Sequence, residues 1–285
     1  MHRKHFVKII AGATAMSSLG AFKKFTGDLK EGESLMPVLF IGHGSPMNGI
    51  ENNSFSNYWK QLAKENPTPK AVLVVSAHWL TRGTKITAMD FPKTIHDFGG
   101  FPQALFDVQY PAPGNPELAK ETTAIIASTK VELDHDWGLD HGTWTVVRHM
   151  YPDANIPVLQ LSIDYTKSPQ YHYDLAKELY NLRKKGVLIL GSGNMVHNLR
   201  MVAWDKIDEP EFGYDWALQM NNTFKELIGN NEHNKLINFQ NLGREAQLSI
   251  PTPEHYLPLL YTLGLKNNNE AVSFFNDKTV GGSLT

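Results

Sequence analysis

Four histidines of this chain close apolar, strand-like runs or sit in a proline-bounded turn. They are His43 in Phe40-Ile-Gly-His-Gly-Ser-Pro46, His78 in Val74-Val-Ser-Ala-His-Trp79, His197 in Gly191-Ser-Gly-Asn-Met-Val-His197, and His255 in Pro251-Thr-Pro-Glu-His255. Neutral imidazole is the commonest protein ligand for borderline divalent metals, and rings at strand ends can converge without a local CxxC or HExxH pattern. A lone histidine of this sort is more often a hydrogen-bonded structural residue, but four in comparable places point to one metal site assembled from distant segments. The chain has no cysteine. Disulfides, thiolate zinc sites, Fe–S clusters and thiol nucleophiles are therefore excluded, and any metal must be held by His, Asp or Glu.

The elements that must position these rings alternate. Strand-like runs occur at Pro37–Ile41, Ala71–Ser76, Lys85–Met89, Val131–Asp134, Pro157–Ile163, Val187–Leu190 and Ala271–Phe275. Several are continuous Val/Ile/Leu runs, as expected for strands covered on both faces. Helix patterns lie between them. Ser54 can cap a helix through Trp59 and Leu62, while Asn115-Pro116 and Ser168-Pro169 each place a cap residue before a first-turn proline. Trp216–Ile228 and Pro253–Leu263 also read as helices. This alternation predicts a single α/β domain, a mostly parallel central sheet with helices on both faces.

Open sheets of this kind bind ligands beyond the carboxyl ends of their strands. His43 directly follows the first strand, His78 ends the second, and His197 follows Val187–Leu190 across a Gly-Ser-Gly turn, so all three are expected on one edge. His255 is expected to reach that edge from the start of the final helix. Gly42, Gly44, Gly191 and Gly193 flank the rings, where they allow close backbone approach or positive φ. Gly191-Ser-Gly193 lacks a complete G-x-G-x-x-G, no P-loop lysine follows it, and neither Ser45 nor Ser192 sits in G-x-S-x-G.

With 285 residues and 41% hydrophobic content the chain can bury a sizeable core. A formal charge of -2 gives no field for nucleic acid or an anionic membrane, which leaves a small molecule as the expected partner. Residues 1–30 read as an N-terminal extension ahead of a catalytic domain at 31–285. The extension's apolar stretch falls short of the ~20 residues of a stable membrane span but suits a signal peptide. Arg3-Lys4-x-Phe6-Val7-Lys8 resembles a degenerate twin-arginine export signal, so both a cytoplasmic and a periplasmic location are expected alternatives. His96 lies in the aromatic loop Asp90–Gly114 and His141 precedes a helix; each can donate to a substrate oxygen or close a loop. His135, His149, His172 and His233 lie in contexts that read as exposed.

At these residues the chain resembles the LigB-type class III extradiol ring-cleaving dioxygenases, in the bacterial 4,5-DOPA branch. The matching blocks are Pro37-Val-Leu-Phe-Ile-Gly-His-Gly-Ser-Pro-Met47, Val75-Ser-Ala-His-Trp79, Thr94-Ile-His-Asp-Phe-Gly-Gly-Phe-Pro102 with Tyr110-Pro-Ala-Pro-Gly114, Gly138-Leu-Asp-His-Gly-Thr-Trp144, Leu190-Gly-Ser-Gly-Asn-Met-Val-His-Asn198 and Thr252-Pro-Glu-His-Tyr-Leu-Pro258. They run in order from Pro37 to the C-terminal region.

The resemblance implies one divalent metal bound by His43, His78 and His255, with His197 as catalytic acid/base or fourth ligand. His141 and His96 would contact substrate. Many relatives use two histidines and a glutamate, which leaves Glu254 as the alternative to His255 for the third ligand. The implied metal is Fe(II) for turnover, with Zn(II) as the ion found, and O2 as co-substrate opens a DOPA-like catechol to a semialdehyde. Two rival readings keep the site: a zinc-dependent hydrolase with water in the open position, and a non-catalytic metal-binding module.

Overall fold

Uninterrupted runs such as Val72-Leu-Val-Val75 and Val187-Leu-Ile-Leu190 have no polar face to turn to water, so they form strands buried on both sides. A computed structural model describes residues 35–207, 209 and 212–285. The N-terminal extension, with its export-like motif, lies outside the described residues. The described strands are β1 (Val38–Gly42), β2 (Ala71–Thr81), β3 (Thr84–Thr87), β4 (Lys93–Thr94), β5 (Val131–Asp134), β6 (Gly138–Leu139), β7 (Val158–Asp164) and β8 (Val187–Gly193). The described α-helices are α1 (Ser54–Glu65), α2 (Gln103–Phe106), α3 (Pro116–Ile125), α4 (His141–Met150), α5 (Pro169–Glu178), α6 (Tyr180–Lys184), α7 (Asp215–Gly229), α8 (His233–Ile237), α9 (Arg244–Ser249) and α10 (Leu257–Leu265).

The main sheet has the order β1-β8-β2-β7-β3-β5, and β4 pairs with β6 beside it. β1, β8, β2 and β7 are mutually parallel; β3 meets β7 antiparallel at Ile86 and Leu161, so the β3-β5 pair runs the other way. Alternate residues of β2 serve two cores. Val72 and Val74 pack with Trp59 of α1 and Trp144 of α4, while Leu73 and Val75 pack with Leu175 of α5, Phe224 of α7 and Leu260 of α10. The expected α/β domain, a mostly parallel sheet between two helical layers, is what forms.

Most helix starts follow the expected chemistry. Asn115 Oδ1 accepts from Leu118 N at 2.9 Å with Pro116 behind it, while α1 is capped one residue earlier than expected, by Asn53 rather than Ser54. Three readings are corrected. Ala271–Phe275 forms no strand; its residues are largely exposed, and Phe275 stacks on Tyr58 of α1 instead. Gly191-Ser-Gly193 is strand rather than turn, because β1 pairs with all three residues and β2 with Gly191 and Ser192. The final helix starts at Leu257, so His255 lies in the turn before it. Among the described residues no helix is long and apolar enough to cross a membrane.

Candidate metal centre

Register brings the ring-bearing segments to one edge. Gly42 pairs with Gly193 and Ser76 with Ser192, so the ends of β1 and β8 and the middle of β2 lie side by side. His43 follows β1 directly, and Gly44 takes the positive φ of 63° that turns the chain away. His78 does not end β2 as expected but lies inside it, because β2 runs on to Thr81 by pairing again with β7 after a jump in register between Val75 and Leu80. A bulge of this kind re-aims side chains, and here it frees His78 from the sheet plane. Beyond β8, His255 sits close because Gly193 has no side chain: a Cβ there would lie 2.1 Å from His255 O. Asn194 N donates to that same carbonyl at 2.8 Å.

The rings form one cluster. Centroids are 4.9 Å apart for His43 and His78, 5.4 Å for His43 and His255, and 5.1 Å for His78 and His255. His141, at the first turn of α4, joins them at 4.0 Å from His78 and 5.4 Å from His43. His197 stacks face to face on His255 at 3.5 Å. One nitrogen each from His43, His78 and His141 lie within 4.8 Å of one another, and so do donor atoms of His197, Glu254 and His255.

For four of these rings, His43, His78, His197 and His255, burial leads in lowering the pKa, and a neighbouring imidazole adds to it in each case. His43 is pushed well below its usual value, His255 is lowered, His78 falls to about 2 and His197 to about 3. They are neutral near pH 7, with lone pairs to offer. For Glu254, burial opposes ionisation, but contacts with His255 and Thr252 prevail and bring it down to about 2.

The proton positions test whether a cation belongs here. Ser192 Oγ donates its single hydrogen to Gly142 O at 2.5 Å, so it must accept from His43 Nδ1 at 3.0 Å. His78 Nδ1 faces Asp97 Oδ2 at 3.3 Å, which draws the proton to that nitrogen. Both Nε2 atoms then carry lone pairs, yet they face each other at 3.0 Å. Two lone pairs at that distance repel unless a cation lies between or beside them. The donor set of neutral nitrogens fits a borderline divalent ion.

The family model for the catalytic LigB subunit of aromatic ring-opening dioxygenase matches residues 37–281. This chain belongs to the LigB family of extradiol ring-cleaving dioxygenases. The 4,5-DOPA dioxygenase extradiol of Escherichia coli (strain K12) is 47% identical over 263 residues, covering 90% of this chain and 95% of that one. The protein of the same name from Beta vulgaris is 32% identical, covering 89% and 95%. A crystal structure of an uncharacterized protein from Escherichia coli K12 superposes with a TM-score of 0.73 at 41% identity, over 87% of this chain and 97% of that chain.

Within this dioxygenase the candidate histidines occupy different places. His43, His78, His255, His197 and His141 meet in one cluster. His96 stands apart: its Nε2 lies 3.0 Å from Val108 O, and its ring packs among Phe98, Phe106 and Trp144. Phe98 meets both His96 and His141 edge-on, so the aromatic loop walls the cluster. Of the histidines expected at the surface only His135 is exposed. His149 contacts Asn48 O at 2.7 Å, His172 the Tyr261 hydroxyl at 3.0 Å and His233 the Tyr173 hydroxyl at 2.8 Å, each buried by helix faces that carry polar residues inward.

Two acidic residues escaped the sequence reading. Asp140 is fully buried, caps α4 by accepting from Thr143 N at 3.0 Å, and accepts from Ser76 Oγ at 2.7 Å, which ties α4 to the β2 bulge. Asp97 lies next to His96 in sequence and touches both His78 and His141. The available signal was chemical: metal-binding imidazoles pair their second nitrogen with a carboxylate or carbonyl.

Proposed function

We propose that this enzyme opens the ring of a DOPA-like catechol with O2 to give a semialdehyde, at an Fe(II) ion held by His43, His78 and His255. The opposed Nε2 lone pairs of His43 and His78 carry the metal part of this reading; the relatives named 4,5-DOPA dioxygenase extradiol support the substrate class. His255 is favoured over Glu254 as third ligand. Glu254 Oε1 lies 3.5 Å from His255 Nδ1 and accepts from Thr252 Oγ1 at 2.6 Å, behind the ring, where it supports a ligand rather than replacing one.

When bound, the metal supplies Lewis acidity toward the diol and the electrons that activate O2. The surrounding residues do the rest. His197, stacked on His255 at the edge of the cluster, is the acid/base residue that would take a proton from the diol and return one to the opening product. His141 presents its ring beside His78, on the side where Phe98 closes the wall, and there contacts a substrate hydroxyl. The aromatic loop excludes water around the reacting ring. Three neutral ligands leave the metal's positive charge uncompensated, which favours catecholate over the neutral diol.

The test is anaerobic reconstitution with Fe(II) or Zn(II), followed by oxygen uptake with a panel of DOPA, caffeate and protocatechuate. Catechol-dependent uptake by the Fe(II) form alone, with yellow ring-opened product, is the expected outcome. Hydrolytic activity of the zinc form without oxygen uptake would replace this reading with a metallohydrolase.

A further inference from the structure

Asp97 reaches two imidazoles that arrive from different layers of the fold. Its Oδ2 lies 3.3 Å from Nδ1 of His78, on the β2 bulge, and its Oδ1 lies 3.0 Å from Nδ1 of His141, on the first turn of α4. The same Oδ1 accepts from the backbone N of His141 at 2.9 Å. The two ring contacts are short but bent, charge–dipole approaches of the carboxylate to Nδ1–H rather than linear hydrogen bonds, whereas the backbone bond anchors the carboxylate in place. The Asp97 side chain is only 19% exposed.

We propose that Asp97 is a positioning residue that fixes both rings with the proton on Nδ1, so that His78 turns a bare Nε2 to the metal and His141 a bare Nε2 to the bound diol. An ionised carboxylate only accepts, and a neutral imidazole protonated on Nδ1 keeps its lone pair on Nε2. The close approach of the two segments makes a single bridge feasible. Gly142 lets α4 press against the bulge, since a Cβ there would lie 2.7 Å from Ser76 Oγ and 2.9 Å from His78 Cδ2, and the two rings stand 4.0 Å apart. No other carboxylate contacts either ring among the described residues. An amide in place of Asp97 has one accepting and one donating arm, so it matches one Nδ1–H and opposes the other.

This inference rests on the proposed metal site but has its own readouts. The first is the long-range ¹H–¹⁵N spectrum of the zinc-loaded wild-type protein, with the His78 and His141 rings assigned by through-bond correlation from their own backbone resonances. Both rings are expected as Nδ1–H tautomers; Nε2–H on either ring overturns the proposal, without requiring an Asp97 variant to fold. The second is zinc affinity by chelator competition. Asp97→Asn is expected to weaken zinc binding ~10–100-fold, with thermal unfolding of the metal-free protein unchanged. At saturating Fe(II) the same variant is expected to lose kcat more than KM. Wild-type zinc affinity and kcat in Asp97→Asn would also overturn it. If the wild-type protein itself shows no catechol-dependent oxygen uptake, the proposed function fails, while the tautomer and affinity results still judge Asp97.

Discussion

Gly193→Ala is the sharpest test of how the fold seats His255. Gly193 ends β8 against the turn that carries His255. A Cβ built there lies 2.1 Å from His255 O, 3.1 Å from His255 C and 3.3 Å from Pro258 Cγ. The turn must yield by roughly 0.9 Å to bring the first contact to 3.0 Å, a separation below which real Cβ contacts are essentially absent. The atom displaced is the carbonyl that accepts from Asn194 N at 2.8 Å, so the shift strains a backbone bond that holds His255 beside β8. Overpacking of this kind costs ~1–3 kcal/mol, and a displacement of about 1 Å at a reacting group can cost ~10²-fold in rate. We therefore expect kcat/KM for a catechol to fall about 10²-fold in an oxygen-electrode assay at saturating Fe(II), with a Tm loss of only a few degrees. Gly229→Ala, at the far end of α7, is the control, because a Cβ at Gly229 meets nothing within 4 Å and the backbone there is not left-handed. Gly193→Ala turning over within about twofold of wild type would refute this account of the His255 seat.

Alanine at His43 or His78 is expected to abolish metal retention through gel filtration, whereas His197→Ala keeps the metal, read by atomic emission, and loses turnover. Buried His172 makes acid stability a second check. Burial lowers its pKa to about 4; between pH 6.5 and 4 the unfolded chain takes up a proton that the native state refuses, so stability falls with pH across that window, by up to about 3 kcal/mol from this group. Urea midpoints of the wild type should therefore drop more steeply from pH 6.5 to 4 than those of His172→Gln, and equal slopes would contradict the assignment.

How much of this was legible in the chain follows from what each signal depends on. The strands over Ala71–Ser76 and Val187–Leu190 were readable because burial on both faces demands continuous apolar runs, and the edge strand Val131–Asp134 through its alternation of apolar and acidic residues. Ala271–Phe275 carries the same residue types but finds no partner strand, and pairing is a tertiary property that no local pattern records. His43, directly after β1, and His197, shortly after β8, were readable because an open sheet gathers such positions at one edge, whereas His78 reaches that edge only through the bulge inside β2. His141 entered the cluster through the cap of α4 and the glycine that follows it, and Asp97 through a loop whose path depends on the packing of Phe98 against Phe101 and Phe106. His149, His172 and His233 were misjudged for a related reason: helical position alone does not say which face turns inward, and each is kept buried by an oxygen partner distant in sequence.

The central claim is that the imidazole cluster carries one metal at which both oxygen atoms of O2 enter a catechol. Turnover under ¹⁸O2 by protein reconstituted with Fe(II), with iron counted per chain and the ring-opened product weighed by mass spectrometry, tests it most directly. One iron per chain, one O2 consumed per catechol and two ¹⁸O atoms in the product, all lost in His43→Ala, are predicted. Ring-opened product without ¹⁸O, or full turnover by His43→Ala, would contradict it.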